Sequence, residues 1–262
     1  MSTPAEVVAA LHAGADQLDP LVRDLTAEQL TRPSAAGAWD LSQVLAHLDL
    51  GAEIWVAALD AAVAGQPVAA GADQAVWARW DAMTPAERAP AYLEANAAVL
   101  ARYDAIVSTA PDGLQVDLTV LPHPVDVATT ALFWLNEFTL HSWDIRVALD
   151  PAAALHGDAV PLLLDTVAPL LTRVAKPSAL AGRDLTVAVT LHEPDQAFKL
   201  HLSADGCAMG EVPGDPGATL VASGEAWLRL VSGRLAATHT PPGVQLSGPV
   251  GLDSLRQVFP GY

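Results

Sequence analysis

The chain has 262 residues, 52% of them hydrophobic, and a formal net charge of −17. That length holds one large domain or two ordinary ones, and with only two lysines, Lys176 and Lys199, it lacks the clustered cations that binding nucleic-acid phosphate requires. The longest apolar run falls well short of the ~18 residues that span a bilayer.

The start, "MSTPAEVVAALHAGADQ", has no basic segment ahead of an apolar one, and the single cysteine, Cys207, cannot form an internal disulfide. A cytoplasmic protein is therefore expected. The acidic charge forms no dense run, so it reads as a solvated surface.

The first half reads as helices. Thr3, Pro4 and Glu6 open the first as a capping box, and Pro20 is expected to kink or end it. "TAEQL" is a short turn and "TRPSAAGAW" a loop. Asp40, with Gln43 three residues on, caps the second helix, whose apolar stripe is Leu41, Val44, Leu45, Leu48, Trp55 and Leu59. "AGQPVAAG" is a loop, and "VWARWDAM" a short helix or ordered connection. Thr84, Pro85 and Glu87 open the third long helix. "TAPDGLQVDLTVLPHP" is a loop with room for one short extended piece. The fourth helix runs from about Val125 to Leu149, where Asp150 and Pro151 end it. Four long amphipathic helices suggest a bundle.

After residue 150 the pattern changes. "GDAVPLLLDTVAPLLTRVAK" is one more helix. "DLTVAVTL" and "AFKLHLS" alternate as half-buried strands do, with Phe198, Leu200 and Leu202 on one face and Lys199 and His201 on the other. "GCAMGEV", "ATLVAS" and "VQLSG" are further strands, and "GEAWLRLVSGR" and "GLDSLRQVF" are helices. The second half is expected to be α+β with an antiparallel sheet. The chain thus reads as two domains, residues 1–152 and residues 153–262.

The stretch "NEFTLHSWD" raises the functional question. At about 100° per residue, Thr130, Phe133, Trp134, Glu137, His141, Asp144 and Ala148 share the face that should enter the bundle. A buried, unpartnered carboxylate is very costly, so Glu137 must be paired, hydrogen-bonded or metal-bound. Alone, Glu137 and His141 could be an ordinary i,i+4 contact. His47, at the flank of the second helix's stripe, supplies a third donor. Two histidines and one carboxylate make a three-ligand set with open positions, as in catalytic zinc sites, and iron or nickel takes the same ligand types.

These stretches together resemble the mycothiol-dependent maleylpyruvate isomerase family. The shared pattern is Trp39 just before the second helix, His47-Leu48 within it, and Glu137, His141 and Trp143-Asp144 in the fourth. The resemblance implies a DinB-like four-helix bundle whose zinc ligands are His47, Glu137 and His141, followed by a sterol-carrier-like α+β domain. It implies a zinc-bound thiolate of mycothiol, the low-molecular-weight thiol of actinobacteria, acting on a small electrophilic substrate. The reaction would be cis–trans isomerisation of the maleylpyruvate type or S-transfer.

Two other readings stand beside this one: a hydrolase using zinc-bound water, and a non-catalytic module that binds a small ligand. A structural zinc normally has four protein ligands, and only three candidates are found, which leans against the last. Asp144 reads either as the group that orients His141 or as a helix-surface charge. Arg79 and Arg234 are candidates to pair with carboxylates of substrate or thiol, Arg234 as part of a Gly–Arg pair resembling one in the family's second domain; a plain surface ion-pair role is the competing reading for each. The thiol's sugar portion is expected between the domains. Cys207, on a strand, is not expected to be the nucleophile, and the tryptophans read as core. A monomer working on small molecules, with neither nucleic acid nor membrane as partner, is expected.

Overall fold

The computed structural model of the chain describes residues 2–69, 71–109, 113–118, 121–212 and 214–261, without the side chains of residues 72 and 167–173. It divides into two compact units, Met1–Ala159 and Val160–Tyr262.

The first unit contains α1 (Pro4–Arg23), α2 (Ala27–Leu30), α3 (Leu41–Ala64), α4 (Ala72–Ala82), α5 (Pro85–Thr109), a two-stranded ribbon of β1 (Gln115–Val116) and β2 (Val125–Asp126), and α6 (Val127–Arg146). Three of these helices begin in reciprocal capping boxes, Thr3 with Glu6, Thr26 with Gln29 and Asp40 with Gln43. In each, the cap oxygen accepts the N3 amide while the N3 side chain accepts the cap amide, so two otherwise unpaired donors are satisfied. Asp126 caps α6 by accepting the Thr129 amide at 2.7 Å. Part of the loop expected before α6, residues 110–112, 119 and 120, lies outside the described residues.

Pro20 does not end the first helix. It lies inside α1, which runs on to Arg23. The proline falls in the last turn, so one missing amide is lost from an exposed helix end and little remains to be broken.

The long helices α1, α3, α5 and α6 form a four-helix bundle. Both α1 and α3 pack against α5 and α6. Leu11, Leu18, Leu45, Leu48, Tyr92 and Tyr103 are among its fully buried side chains. Two glycines set the approach to α6. A Cβ on Gly14 would lie 2.8 Å from the Phe138 ring, and one on Gly51 would lie 2.8 Å from the Trp134 ring. Each large side chain of α6 thus seats where the facing helix has none.

The second unit contains α7 (Ala159–Val174), β3 (Leu185–His192), β4 (Gln196–Ser203), β5 (Gly206–Gly210), β6 (Ala218–Ser223), α8 (Gly224–Val231), β7 (Gln245–Ser247) and α9 (Leu252–Val258). The sheet order is β5-β4-β3-β6-β7. Val187, Val189, Leu200, Leu202 and Leu220 are buried in it, as are Trp227 of α8 and Leu255 of α9.

The α+β class is as expected, but the sheet is mixed rather than wholly antiparallel. β3 and β6 run parallel, with Val187 opposite Ala218. The reason is the path out of β5. Gly210 pairs with Lys199, and Lys199 with Ala188. The chain therefore leaves β5 level with the first half of β3 and re-enters at the same level on the other edge. Lys199 Nζ donates to the carbonyls of Val212 and Gly214, and the Gly217 amide donates to Thr186 O. These bonds hold the crossing on the polar face of the sheet. Residue alternation identifies a strand, but not the edge that it joins.

Among the described residues, no helix is long and apolar enough to cross a membrane.

Candidate metal centre

His47 lies in the second turn of α3, whose start is fixed by the Asp40 capping box. Glu137 and His141 lie one turn apart in α6. The close approach permitted by Gly51, one turn beyond His47, brings the two helices together at this level. His47 Nε2 stands 3.5 Å from Glu137 Oε2, and His141 Nε2 stands 3.7 Å from the same oxygen. The three ligand atoms all fall within 4.8 Å of one another. The sequence-predicted ligand set thus comes together in space.

The donor set fits a metal ion. Tetrahedral ligands at 2.0–2.1 Å from zinc lie ~3.4 Å apart, so the two nitrogen–oxygen separations are already within a few tenths of an ångström of that value. The tautomer agrees. His141 Nδ1 is 2.9 Å from Asp144 Oδ2, and Asp144 is fully buried. With Nδ1–H donating to that carboxylate, Nε2 presents a lone pair to the Glu137 oxygen. Two electron-rich atoms facing each other in this way can share a cation.

The cluster is not sealed. His141 is 13% exposed, but His47 and Glu137 are 31% and 32% exposed in their side chains. Trp39 lies over the imidazoles, its ring centroid 5.2 Å from that of His47 and 6.2 Å from that of His141. A cavity of about 250 Å³ opens beside His47, walled by Trp39, Trp77 and Trp80 with Asp81 and Arg88.

The other sequence candidates are placed as follows. Arg79, in α4, pairs with Glu53 of α3, and its guanidinium carbon is 5.8 Å from the Trp80 ring centroid. Arg234 lies in the second unit after α8 and donates to Ser232 O at 3.1 Å. Gly233 before it has φ +75, and a Cβ there would meet the Pro260 backbone at 2.6 Å, so glycine is required. Cys207 is buried, and burial pushes its thiol up to about 11. It is scarcely ionised at neutral pH.

Sequence reasoning missed two features. Asp49, two residues past His47, is buried with neither carboxylate oxygen hydrogen-bonded, and burial, then Glu53, push its carboxyl up to about 8. No spacing rule marks such a residue, because an acid inside an apolar stripe reads as an exposed neighbour. The cavity was also missed, since Trp77 and Arg88 belong to different helices and nothing in the chain links them.

Fold and site define a helical bundle with a two-histidine, one-carboxylate centre, joined to an α+β unit. A family profile described as "Mycothiol maleylpyruvate isomerase N-terminal domain" matches residues 11–146. The chain belongs to the mycothiol maleylpyruvate isomerase family. Its fold is similar to that of the crystal structure of the mycothiol-dependent maleylpyruvate isomerase, at 17% identity and a TM-score of 0.63, with 95% of each chain covered. A histidine-to-alanine mutant of that enzyme matches at 16% identity, with the same TM-score of 0.63 and 95% coverage of each chain. Among curated proteins no relative matches the sequence.

Proposed function

We propose that the chain is a zinc-dependent enzyme that uses mycothiol on a small electrophilic substrate, as a cis–trans isomerase of the maleylpyruvate type or as an S-transferase. In this reading residues 1–152 are the metal-binding domain, and His47, Glu137 and His141 hold the ion. The observation that carries it is the convergence of these three side chains from α3 and α6, with Asp144 directing Nε2 of His141 at the shared point. Iron or nickel would find the same donors acceptable.

When bound, the ion supplies Lewis acidity that favours the ionised form of a thiol near neutral pH. The protein's own residues set the conditions. Glu137 contributes one negative charge and the neutral imidazoles none, so a divalent ion keeps a net positive charge. Trp39 covers one side of the imidazoles and limits water there. The exposed edges of His47 and Glu137 leave a way in.

The sulfur has to come from outside, because Cys207, the single cysteine, is buried and little ionised. Family membership supports mycothiol as its source. In an isomerase the sulfur adds to an activated carbon–carbon double bond, the new single bond rotates, and the carbon–sulfur bond breaks as the double bond re-forms. In an S-transferase the carbon–sulfur bond is kept and another group leaves with the electron pair. Arg79, which is paired with Glu53, and Arg234 are proposed to pair with carboxylates of the substrate. In this reading the protein works in the cytoplasm as a monomer acting on small molecules.

Purified protein is expected to hold about one zinc per chain, lost in His47→Ala and in His141→Ala. Cobalt-substituted protein should gain a sulfur-to-metal charge-transfer band on titration with mycothiol. Occupancy unchanged in both variants would place the metal elsewhere. A metal-loaded protein with no spectral or thermal response to mycothiol would replace the thiol reading with hydrolysis by water.

A further inference from the structure

We propose that the tryptophan-walled cavity beside His47 is the seat of an uncharged, polyhydroxylated ring, the sugar–cyclitol body of the thiol, which it holds while the sulfur arm reaches the metal centre. This rests on the thiol reading above, and it adds the residues that recognise the rest of the molecule.

The first observation is where the indoles lie. Of the seven tryptophans, Trp55, Trp80, Trp134, Trp143 and Trp227 are at most 9% exposed, whereas Trp39 and Trp77 are 38% and 52% exposed. Both exposed rings wall the same cavity. Large apolar side chains left in water on either side of one hollow mark a ligand groove rather than a core. Trp39 is also the ring nearest the metal ligands. A ligand stacked on it would therefore lie directly against the reacting centre.

The second observation is charge. Among the described residues the lining carries one cation, Arg88, and one anion, Asp81, which cancel. Arg88 is partly engaged: its Nη1 donates to Ser42 Oγ at 3.2 Å and its Nη2 to Trp80 O at 3.5 Å, while its buried Nε has no partner among the described residues. Arg79, nearby on α4, is paired with Glu53. Apart from the metal ion itself, a small dicarboxylate would meet no net positive charge in this lining and would face the Asp81 carboxylate.

A polyol meets the surfaces that it needs. Its C–H faces stack on indole, and its hydroxyls donate to Asp81. They accept from the amide of Gln43, whose Oε1 is already taken by the Asp40 amide at 2.9 Å. At about 250 Å³ the cavity is below the ~300–1,000 Å³ of pockets for drug-sized ligands. That size suits one ring and its linking arm, with any further ring in solvent. Mycothiol, a cysteine amide on a glucosamine–inositol body, has this form.

The test is calorimetric titration of the zinc-loaded protein with three probes: mycothiol, N-acetylcysteine (the sulfur arm without rings) and glucosaminyl-inositol (the rings without sulfur). Trp77 stands clear of the core, so Trp77→Ala should fold, and Trp77→Phe retains a stacking face. Wild type should bind mycothiol at least ~10-fold more tightly than N-acetylcysteine, the scale of one ring stacked on an aromatic face. Trp77→Ala should reduce that ratio several-fold while N-acetylcysteine affinity and zinc content stay unchanged, and Trp77→Phe should restore part of it.

Unchanged mycothiol affinity in Trp77→Ala would overturn the seat, as would an equal loss for both thiols. If neither thiol binds wild type, the thiol reading falls by itself. Glucosaminyl-inositol then decides the seat: binding that depends on Trp77 supports it, and no binding overturns it.

Discussion

His141 owes its usefulness to the residue one turn further on. A free imidazole shares its proton between two nitrogens, and a ligand must keep the proton off the one that binds. Asp144, buried and 2.9 Å from Nδ1, sets that choice. Loss of such a partner typically costs a metal site 10–100-fold in affinity. Asp144→Ala is therefore expected to weaken zinc binding by about that factor, with Asp144→Asn in between, measured by competition with a chelator. Wild-type affinity in Asp144→Ala would show that the contact only packs α6. At this scale the chain is informative: Glu137, His141 and Asp144 share a helix face that spacing alone reveals. Trp77 and Arg88 carry no such mark, because their common cavity depends on how three helices meet.

Among the elements, the α3–α6 contact matters most. Its closeness depends on Gly51, since a Cβ there would lie 2.8 Å from Trp134, whose ring is buried with the Trp55 ring 5.4 Å away. Helix propensity favours Ala over Gly by ~1 kcal/mol, against a steric cost of ~1–3 kcal/mol where a packed ring cannot move aside. Gly51→Ala should therefore lower stability by about 1 kcal/mol net. It should also separate His47 from Glu137, so zinc affinity falls with it. Thermal melting and zinc titration of the variant check both, and a variant matching wild type in each would show that Trp134 yields. Capping chemistry made the starts of α1 and α3 legible, because a cap is a local event, although the Thr26–Gln29 box that opens α2 reads in the chain only as a turn. Pro20 does not end α1 for a related reason: its effect depends on how much helix follows. The parallel β3–β6 pair was not legible at all, since the path of a connection over a sheet leaves no period in the chain.

For the molecule as a whole, a buried histidine adds a pH dependence to folding. His156 is 8% exposed, and its Nδ1 has no hydrogen-bond partner. Burial lowers its pKa below the ordinary 6.5, with Arg146 acting in the same direction and Asp158 opposing. The folded state thus keeps the ring neutral where the unfolded chain would take up a proton. The stability it contributes is complete above about pH 6.5 and is lost as pH falls below that value. Melting temperature is expected to fall between pH 7 and pH 5, and His156→Gln, which cannot be protonated, should fall less over the same range. Parallel profiles for the two proteins would remove His156 as a cause.

The sequence by itself determined what is periodic or local. It showed four long helices, the caps that start three of them, the change to strand alternation after residue 150, and an acid and two histidines on faces turned inward. These follow from hydrogen-bond geometry and side-chain spacing within a few residues, so they are written in neighbouring positions. Tertiary structure decided what depends on contacts between distant segments. Gly51 lets α3 approach α6 closely enough for His47 to reach Glu137, and α4 meets α3 and α5 around two exposed indoles. The connection after β5 turns the sheet mixed. Each is set by packing and chain path, which bring together residues that no short stretch of sequence relates.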